Sequence, residues 1–295
     1  MKRYIQKANV LIEALPYIQK FRGKTFVIKY GGSVIGKDDF SQTILEDLVF
    51  MECIGINPIL VHGGGKAINE ALKKSGTQPK FINGLRVTDE ETLKIVEDVL
   101  FGTVNKQIVN LLKALGGRAQ GLSGKNGLLK TKKHFSTVKD PDTGKSKKVD
   151  IGYVGDITEV IAEPILKIIH HEEIPVVAPL GFDNDKNIYN VNADTAAGEI
   201  AAAIKAEKLI FLTDVEGIMR NIEDKTSLIS TIKSHEIEKF IDNGVISGGM
   251  IPKVNSCLKA IKNSVKKTHI IDGRIAHSLL LEIFTDKGIG TEIVE

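Results

Sequence analysis

The sequence predicts an α/β fold whose central parallel sheet is covered on both faces, and three observations predict it. Short apolar runs recur along the chain and each opens into a loop containing glycine. Helical stretches separate these runs, which is the strand–helix alternation of a parallel sheet. The runs are apolar throughout rather than alternating in polarity, as expected of strands buried on both faces.

The first run, Thr25-Phe26-Val27-Ile28, leads into Lys29-Tyr30-Gly31-Gly32-Ser33. The second, Pro58-Ile59-Leu60-Val61, leads into His62-Gly63-Gly64-Gly65 and a helical stretch over 66–74. Ile174-Pro175-Val176-Val177 and Lys208-Leu209-Ile210-Phe211-Leu212 follow the same grammar, ending in Ala178-Pro179-Leu180-Gly181 and Thr213-Asp214-Val215-Glu216-Gly217. Ligands of such sheets bind at the carboxyl ends of the strands, and the glycine loops all fall there. Ahead of the first strand, Ile5, Val10, Leu11, Leu15 and Ile18 lie near a 3.6-residue stripe and predict an amphipathic helix over 4–20. The segment 129–152 differs in kind. Seven lysines surround the turn signal Asp140-Pro141-Asp142-Thr143-Gly144, which predicts an exposed β-hairpin.

With 295 residues, the chain is long enough for one large α/β domain or two joined lobes. Its 40 basic and 37 acidic residues leave a net charge of +3, so whole-chain electrostatics make no case for nucleic acid or a membrane surface. Phe135 is the only aromatic residue within the basic hairpin, too few for a base-stacking platform. Cys53 and Cys257 belong to no Cys-x-x-Cys pair, which argues against structural zinc and a disulfide framework. No apolar run approaches membrane-spanning length, so no membrane segment is expected and the default location is cytoplasmic.

The glycine loops carry the first hint of chemistry. Gly31 to Lys37 nearly spells a Walker P-loop, but Asp38 stands where a Ser or Thr must ligate magnesium, and we reject that reading. Gly31 and Gly32 could admit phosphate to backbone N–H groups, or make a tight strand-to-helix turn. Three consecutive glycines at 63–65, before a helix, point more strongly to an anion at the helix N-terminus. Lys29, Asp194 and Lys253 form a possible cation–anion–cation set. Read singly, each has an ordinary alternative: a strand-end lysine, an acid in a first helical turn, a lysine on a helix surface. His62 reads as a packing residue.

Taken together, Ile28-Lys29-Tyr30-Gly31-Gly32, Val61-His62-Gly63-Gly64-Gly65, Asn83-Gly84-Leu85-Arg86-Val87-Thr88, Asn190-Val191-Asn192-Ala193-Asp194 and Gly249-Met250-Ile251-Pro252-Lys253-Val254 resemble the amino acid kinase family. Within it, the Asn83–Thr88 stretch resembles most the branch whose acceptor is N-acetyl-L-glutamate. The resemblance implies an open, three-layer αβα sandwich on an eight-stranded, mainly parallel sheet. It further implies an N-terminal helix at 1–20, an amino-acid-binding lobe over 21–180 and an ATP-binding lobe over 181–295. By the same resemblance Lys29 and Lys253 stabilise the phosphoryl group in flight and Asp194 holds both lysines. Gly31 and Gly32 contact phosphate; Gly64, Gly65, Arg86 and Asn190 hold the acceptor. The implied cofactor is ATP with Mg²⁺ carried on its phosphates, with no prosthetic group and no protein metal site.

The chemistry suits that division. A carboxylate acceptor with a reference pKa of about 4.3 is already ionised at neutral pH, so no general base is required. What is required is cancellation of charge between two anions. The chain from His269-Ile270-Ile271-Asp272-Gly273-Arg274 to Gly288-Ile289-Gly290-Thr291 resembles the arginine-inhibited subgroup, in which N-terminal helices interlace three dimers into a hexamer. That resemblance implies a homodimer or hexamer inhibited by L-arginine, with Tyr17, His269, Glu282 and Gly288 as effector contacts. The rival expectations are a sister kinase acting on glutamate, aspartate, carbamate or a nucleotide, and a non-catalytic sensing module on the same fold. A dinucleotide-dependent oxidoreductase is disfavoured because no Gly-x-Gly-x-x-Gly follows a strand.

Overall fold

The computed structural model describes residues 1–31, 39–139, 145–221, 223–285 and 288–295. Gly32, Lys37 and Asp38, and the turn at 140–144, lie outside the described residues. The chain opens on helix α1 (Lys2–Phe21), then strand β1 (Thr25–Tyr30), helix α2 (Asp39–Cys53), β2 (Asn57–His62) and α3 (Gly65–Lys74). A small hairpin, β3 (Phe81–Ile82) and β4 (Leu85–Arg86), precedes α4 (Glu90–Glu97). A π-helical stretch, Asp98–Asn105, links α4 to α5 (Lys106–Ala114). Next come β5 (Ala119–Ser123), β6 (Leu129–Lys139), β7 (Ser146–Val160), α6 (Glu163–His170), β8 (Ile174–Ala178), β9 (Leu180–Phe182) and β10 (Ile188–Asn190). The remainder runs α7 (Ala193–Ala203), β11 (Lys208–Thr213), β12 (Thr231–Lys233), α8 (Ile237–Asp242), α9 (Met250–Lys262), β13 (Lys267–Asp272), α10 (Ser278–Ile283) and β14 (Thr291–Val294).

Eight strands form one sheet in the order β12-β14-β13-β11-β1-β2-β8-β5. Every neighbouring pair is parallel except β13 with β14. The sheet centre lies at β1 and β11, where all of Phe26, Val27, Ile28, Leu209, Ile210 and Phe211 are excluded from solvent. Strand alternation divides these residues between two core layers. Phe26, Ile28 and Tyr30 pack with Ile44, Leu48 and Met51 of α2, Leu112 of α5 and Leu279 of α10. Val27 and Leu209 pack on the other face with Ala197 and Ile200 of α7 and Val254 and Cys257 of α9. This is the three-layer αβα sandwich expected from the sequence. Period-two alternation also places Lys29 on the same face as Val27, beneath α7 and α9.

Two features extend the sequence reading. The expected hairpin forms as β6 and β7, and its base closes a four-stranded barrel with β9 and β10. Gly155 and Gly181 of that barrel leave room for Thr131, whose Cγ2 would otherwise sit within 3.2 Å of an added Cβ. The apolar stripe of α1 is largely uncovered, with Ile5 52%, Val10 63%, Leu11 68% and Leu15 43% exposed. The last turns of α1 reach the body, where Tyr17 meets Phe284 edge-on and Phe21 meets Phe26. Among the described residues, no helix is long and apolar enough to cross a membrane.

Candidate active site

At the carboxyl edge of the sheet, Lys29 leaves β1 and points at Asp194 in the first turn of α7. Lys29 Nζ lies 2.8 Å from Asp194 Oδ1, and Lys253 Nζ lies 2.7 Å from Asp194 Oδ2. The three residues, scattered over more than two hundred positions, form one ion triplet. Asp194 is free for this because Asn192 caps α7: its Oδ1 accepts from the N–H groups of Asp194 and Thr195. Burial works against ionisation of Asp194, but the two ammonium groups outweigh it and hold the carboxyl below its ordinary value. Burial and the neighbouring Lys253 push Lys29 down, while Asp194 opposes them. With two cations on one carboxylate, the triplet carries a surplus positive charge facing the cleft.

Beside the triplet is a cavity of about 410 Å³ lined by Lys29, Gly63, Gly64, Gly65, Phe81, Arg86 and Asn190, among others. Arg86 is buried, and burial lowers its guanidinium from the usual value. Its Nη2 donates to Asn69 Oδ1 at 2.6 Å and to the Gly65 carbonyl at 3.3 Å, and its plane lies over the Phe81 ring, 4.7 Å from the centroid. Its Nη1 is buried and has no hydrogen-bond partner among the described residues. Half of a charged fork is therefore left for an anion, since a buried donor without an acceptor is costly.

The glycines divide by physical need. Gly64 precedes α3, and a Cβ there would come within 2.6 Å of Leu100 Cδ2. Its bareness is thus partly a packing requirement. Gly65, the first residue of α3, has open space where a Cβ would stand. Nothing in the fold demands glycine there, and the helix N-terminus it forms borders the cavity. At Gly31, a Cβ would meet the Leu212 carbonyl at 3.2 Å and Lys29 Nζ at 3.3 Å. His62 is fully buried: its Nδ1–H donates to the Gly63 carbonyl and its Nε2 accepts from Asn105 Nδ2. Burial pushes its pKa down to about 4, so it is neutral and structural.

The sequence-predicted residues Lys29, Asp194, Gly64, Gly65, Arg86 and Asn190 thus gather at one edge, joined by Lys253. Tyr17, His269, Glu282 and Gly288 gather elsewhere. They line a separate cavity of about 360 Å³ with Lys208, Glu207 and Glu292. Glu282 Oε1 lies 3.0 Å from Lys208 Nζ and 2.9 Å from His269 Nδ1, and its Oε2 accepts from the Ile289 N–H. Burial opposes its ionisation, yet these partners bring its pKa down to about 2. Gly288 has φ +60°, and a Cβ there would meet Glu282 Oε2 at 2.5 Å. Sequence reasoning missed Asn69, Phe81 and Asn192; only Asn192, just ahead of an Ala-rich helix, carried a readable capping signal.

Residues 24–272 match the amino acid kinase family model. The chain belongs to the amino acid kinase family. It is 56% identical over 290 residues to a protein named acetylglutamate kinase from Caldanaerobacter subterraneus subsp. tengcongensis, covering 98% of this chain and 93% of that one. It is 53% identical over 292 residues to the protein of that name from Carboxydothermus hydrogenoformans, covering 99% of each. Among solved structures, N-acetylglutamate synthase from Neisseria gonorrhoeae, complexed with coenzyme A and N-acetyl-glutamate, superposes with a TM-score of 0.82 at 25% identity. That match covers 98% of this chain and 63% of the synthase. Giardia carbamate kinase shares the fold at a TM-score of 0.61 and 17% identity, covering 92% of this chain and 99% of that one.

Proposed function

We propose that this enzyme transfers the γ-phosphoryl group of ATP to the side-chain carboxylate of N-acetyl-L-glutamate, forming N-acetyl-L-glutamyl 5-phosphate, a step toward arginine. The observation that carries the reading is the Lys29–Asp194–Lys253 triplet beside a cavity holding a half-unpaired Arg86. High identity to the named kinases supports the same acceptor. Arg86 Nη1 pairs with a carboxylate of the acceptor, and Gly65 and Gly64 line the place where its other end lies. The reacting carboxylate then faces Lys29, and the surplus charge of the triplet offsets the charge spread over the transferring phosphoryl oxygens. Gly31 and Gly32 serve the phosphates with their N–H groups. In this reading magnesium would be carried on the phosphates of the nucleotide, while Asp194 serves the two lysines. By the same reading residues 21–180, joined by Asn190, hold the acceptor, and the rest of residues 181–295 hold ATP.

A hydroxylamine assay tests it. Acetylglutamate with ATP yields acyl hydroxamate well above the level obtained with free glutamate; equal yields, or none, overturn the acceptor.

A second reading concerns control. We infer that L-arginine binds the cavity formed by Tyr17, His269, Glu282 and Gly288 and inhibits the enzyme. Supporting it, Glu282 remains ionised, and it, Glu207 and Glu292 are paired in the same walls with Lys208, Lys266 and Lys267, carboxylates for which a guanidinium would exchange with the ammonium groups. The uncovered apolar stripe of α1 seats on another copy of the chain, building a hexamer from dimers in the cytoplasm. Arginine then raises the apparent KM for acetylglutamate, as initial rates at several arginine concentrations measure. An unchanged KM at saturating arginine would refute the reading.

A further inference from the structure

We infer that Thr88 is the positioning residue of the acceptor subsite, setting the orientation of Asn190 and tying it to Arg86. This rests on the acceptor reading above. Thr88 lies in no regular element, yet it is wholly excluded from solvent. Its Oγ1 is 2.9 Å from the Arg86 carbonyl and 3.3 Å from Asn190 Nδ2, a residue 102 positions away. A carbonyl can only accept, so the Thr88 hydroxyl donates its single proton to Arg86. The hydroxyl oxygen must then accept from its other neighbour, and that neighbour must be the NH₂ side of the Asn190 amide. The same logic excludes the flipped amide, which would oppose two acceptors. Among the described residues, Asn190 Oδ1 accepts no hydrogen bond, so the cavity wall presents a carbonyl oxygen of fixed direction. An acceptor carrying an acetamido N–H offers the matching donor.

The backbone of Thr88 is fixed independently. Its N–H donates to the Ile151 carbonyl at 2.9 Å, and its carbonyl accepts from the Tyr153 N–H at 2.6 Å. Gly152, at φ +84°, lies so close that an added Cβ would stand 2.0 Å from the Thr88 oxygen. The β7 strand therefore clamps the main chain of Thr88, and the side chain has one job left: to join two walls of the cavity.

The test compares Thr88→Val with Thr88→Ser in the full chain. Valine keeps the shape and loses the hydroxyl; serine keeps the hydroxyl. Thr88→Val raises KM for acetylglutamate about tenfold or more, the effect of one lost buried hydrogen bond and its orphaned partner. KM for ATP stays within about twofold, and Thr88→Ser returns KM for acetylglutamate towards the wild-type value. Thermal melting of each variant separates this from a packing effect, which would lower the melting temperature and spread across both KM values. Wild-type KM in Thr88→Val, or serine no better than valine, overturns the inference. A wild-type enzyme inactive on acetylglutamate but active on another carboxylate overturns the acceptor's identity instead, and the Thr88 comparison is then read on that carboxylate.

Discussion

Lys29, Asp194 and Lys253 illustrate how a single side chain acquires its role from its surroundings. Each lysine alone is an ordinary surface residue by composition. Held on one carboxylate, Lys29 buried and Lys253 half-buried, the two would form a fixed positive pole that needs no rearrangement when charge develops. Lys29→Ala and Lys253→Ala are each expected to lower kcat by about 10²–10³-fold with a much smaller change in ATP affinity, measured by steady-state rates and nucleotide titration. Near-normal turnover would remove the role assigned here. Asp194→Ala should destabilise the fold by about 3–5 kcal/mol, because it leaves the buried Lys29 ammonium, and the half-buried Lys253 beside it, without a counter-charge. Denaturant titration reads that loss. Glu282 provides a pH signature. Its ordinary value is 4.5 and its folded value about 2, so the unfolded chain binds more protons between those limits. Its contribution to stability is complete above pH 4.5 and is lost as pH falls towards 2. The stability gap between wild type and Glu282→Gln, followed from pH 7 downwards, should therefore close over that window.

The glycine loop after β2 shows the same distinction between an element's own needs and a ligand's. Gly64→Ala forces a contact with Leu100, and overpacking of this kind costs about 1–3 kcal/mol. Gly65→Ala meets nothing in the fold and gains helix propensity, so its melting temperature should hold or rise. Its cost should appear only as a raised KM for acetylglutamate, because the new methyl group occupies acceptor space. Equal losses of stability in the two variants would contradict this division. Helix α1 leaves much of its apolar stripe exposed. Exposed Val10, Leu11 and Ile12 contribute little to this chain alone, and their burial on another copy would explain the stripe.

For the whole molecule, deleting residues 1–20 should leave turnover intact, lower the sedimenting mass from a hexamer to a dimer, and abolish inhibition by arginine. Tyr17 is lost in that deletion, so the proposed effector cavity loses a wall. Equal arginine sensitivity in the full-length and shortened chains would sink the regulatory proposal. The two cavities are held by one continuous sheet. Lys29 leaves the end of β1, while Lys208 of the adjacent β11 and His269 of β13 line the proposed effector cavity.

Much of this was legible in the sequence because it depends on local periodicity. The apolar runs of β1, β2, β8 and β11 had no polar face to offer solvent, so a doubly covered parallel sheet was the only economical outcome. The glycine loops marked the carboxyl edge for the same reason, and Gly31, Gly64 and Gly65 could be named before any fold was known. Tertiary structure alone decided what depends on contacts between distant positions. It gave the expected pairing of Asp194 with both lysines its distances, and it left one arm of Arg86 without an acceptor. It bent the basic hairpin into a small barrel and joined Thr88 to Asn190 across 102 positions. A hydrogen bond or ion pair is set by distance and direction in space. Sequence spacing constrains neither once the chain has crossed the sheet.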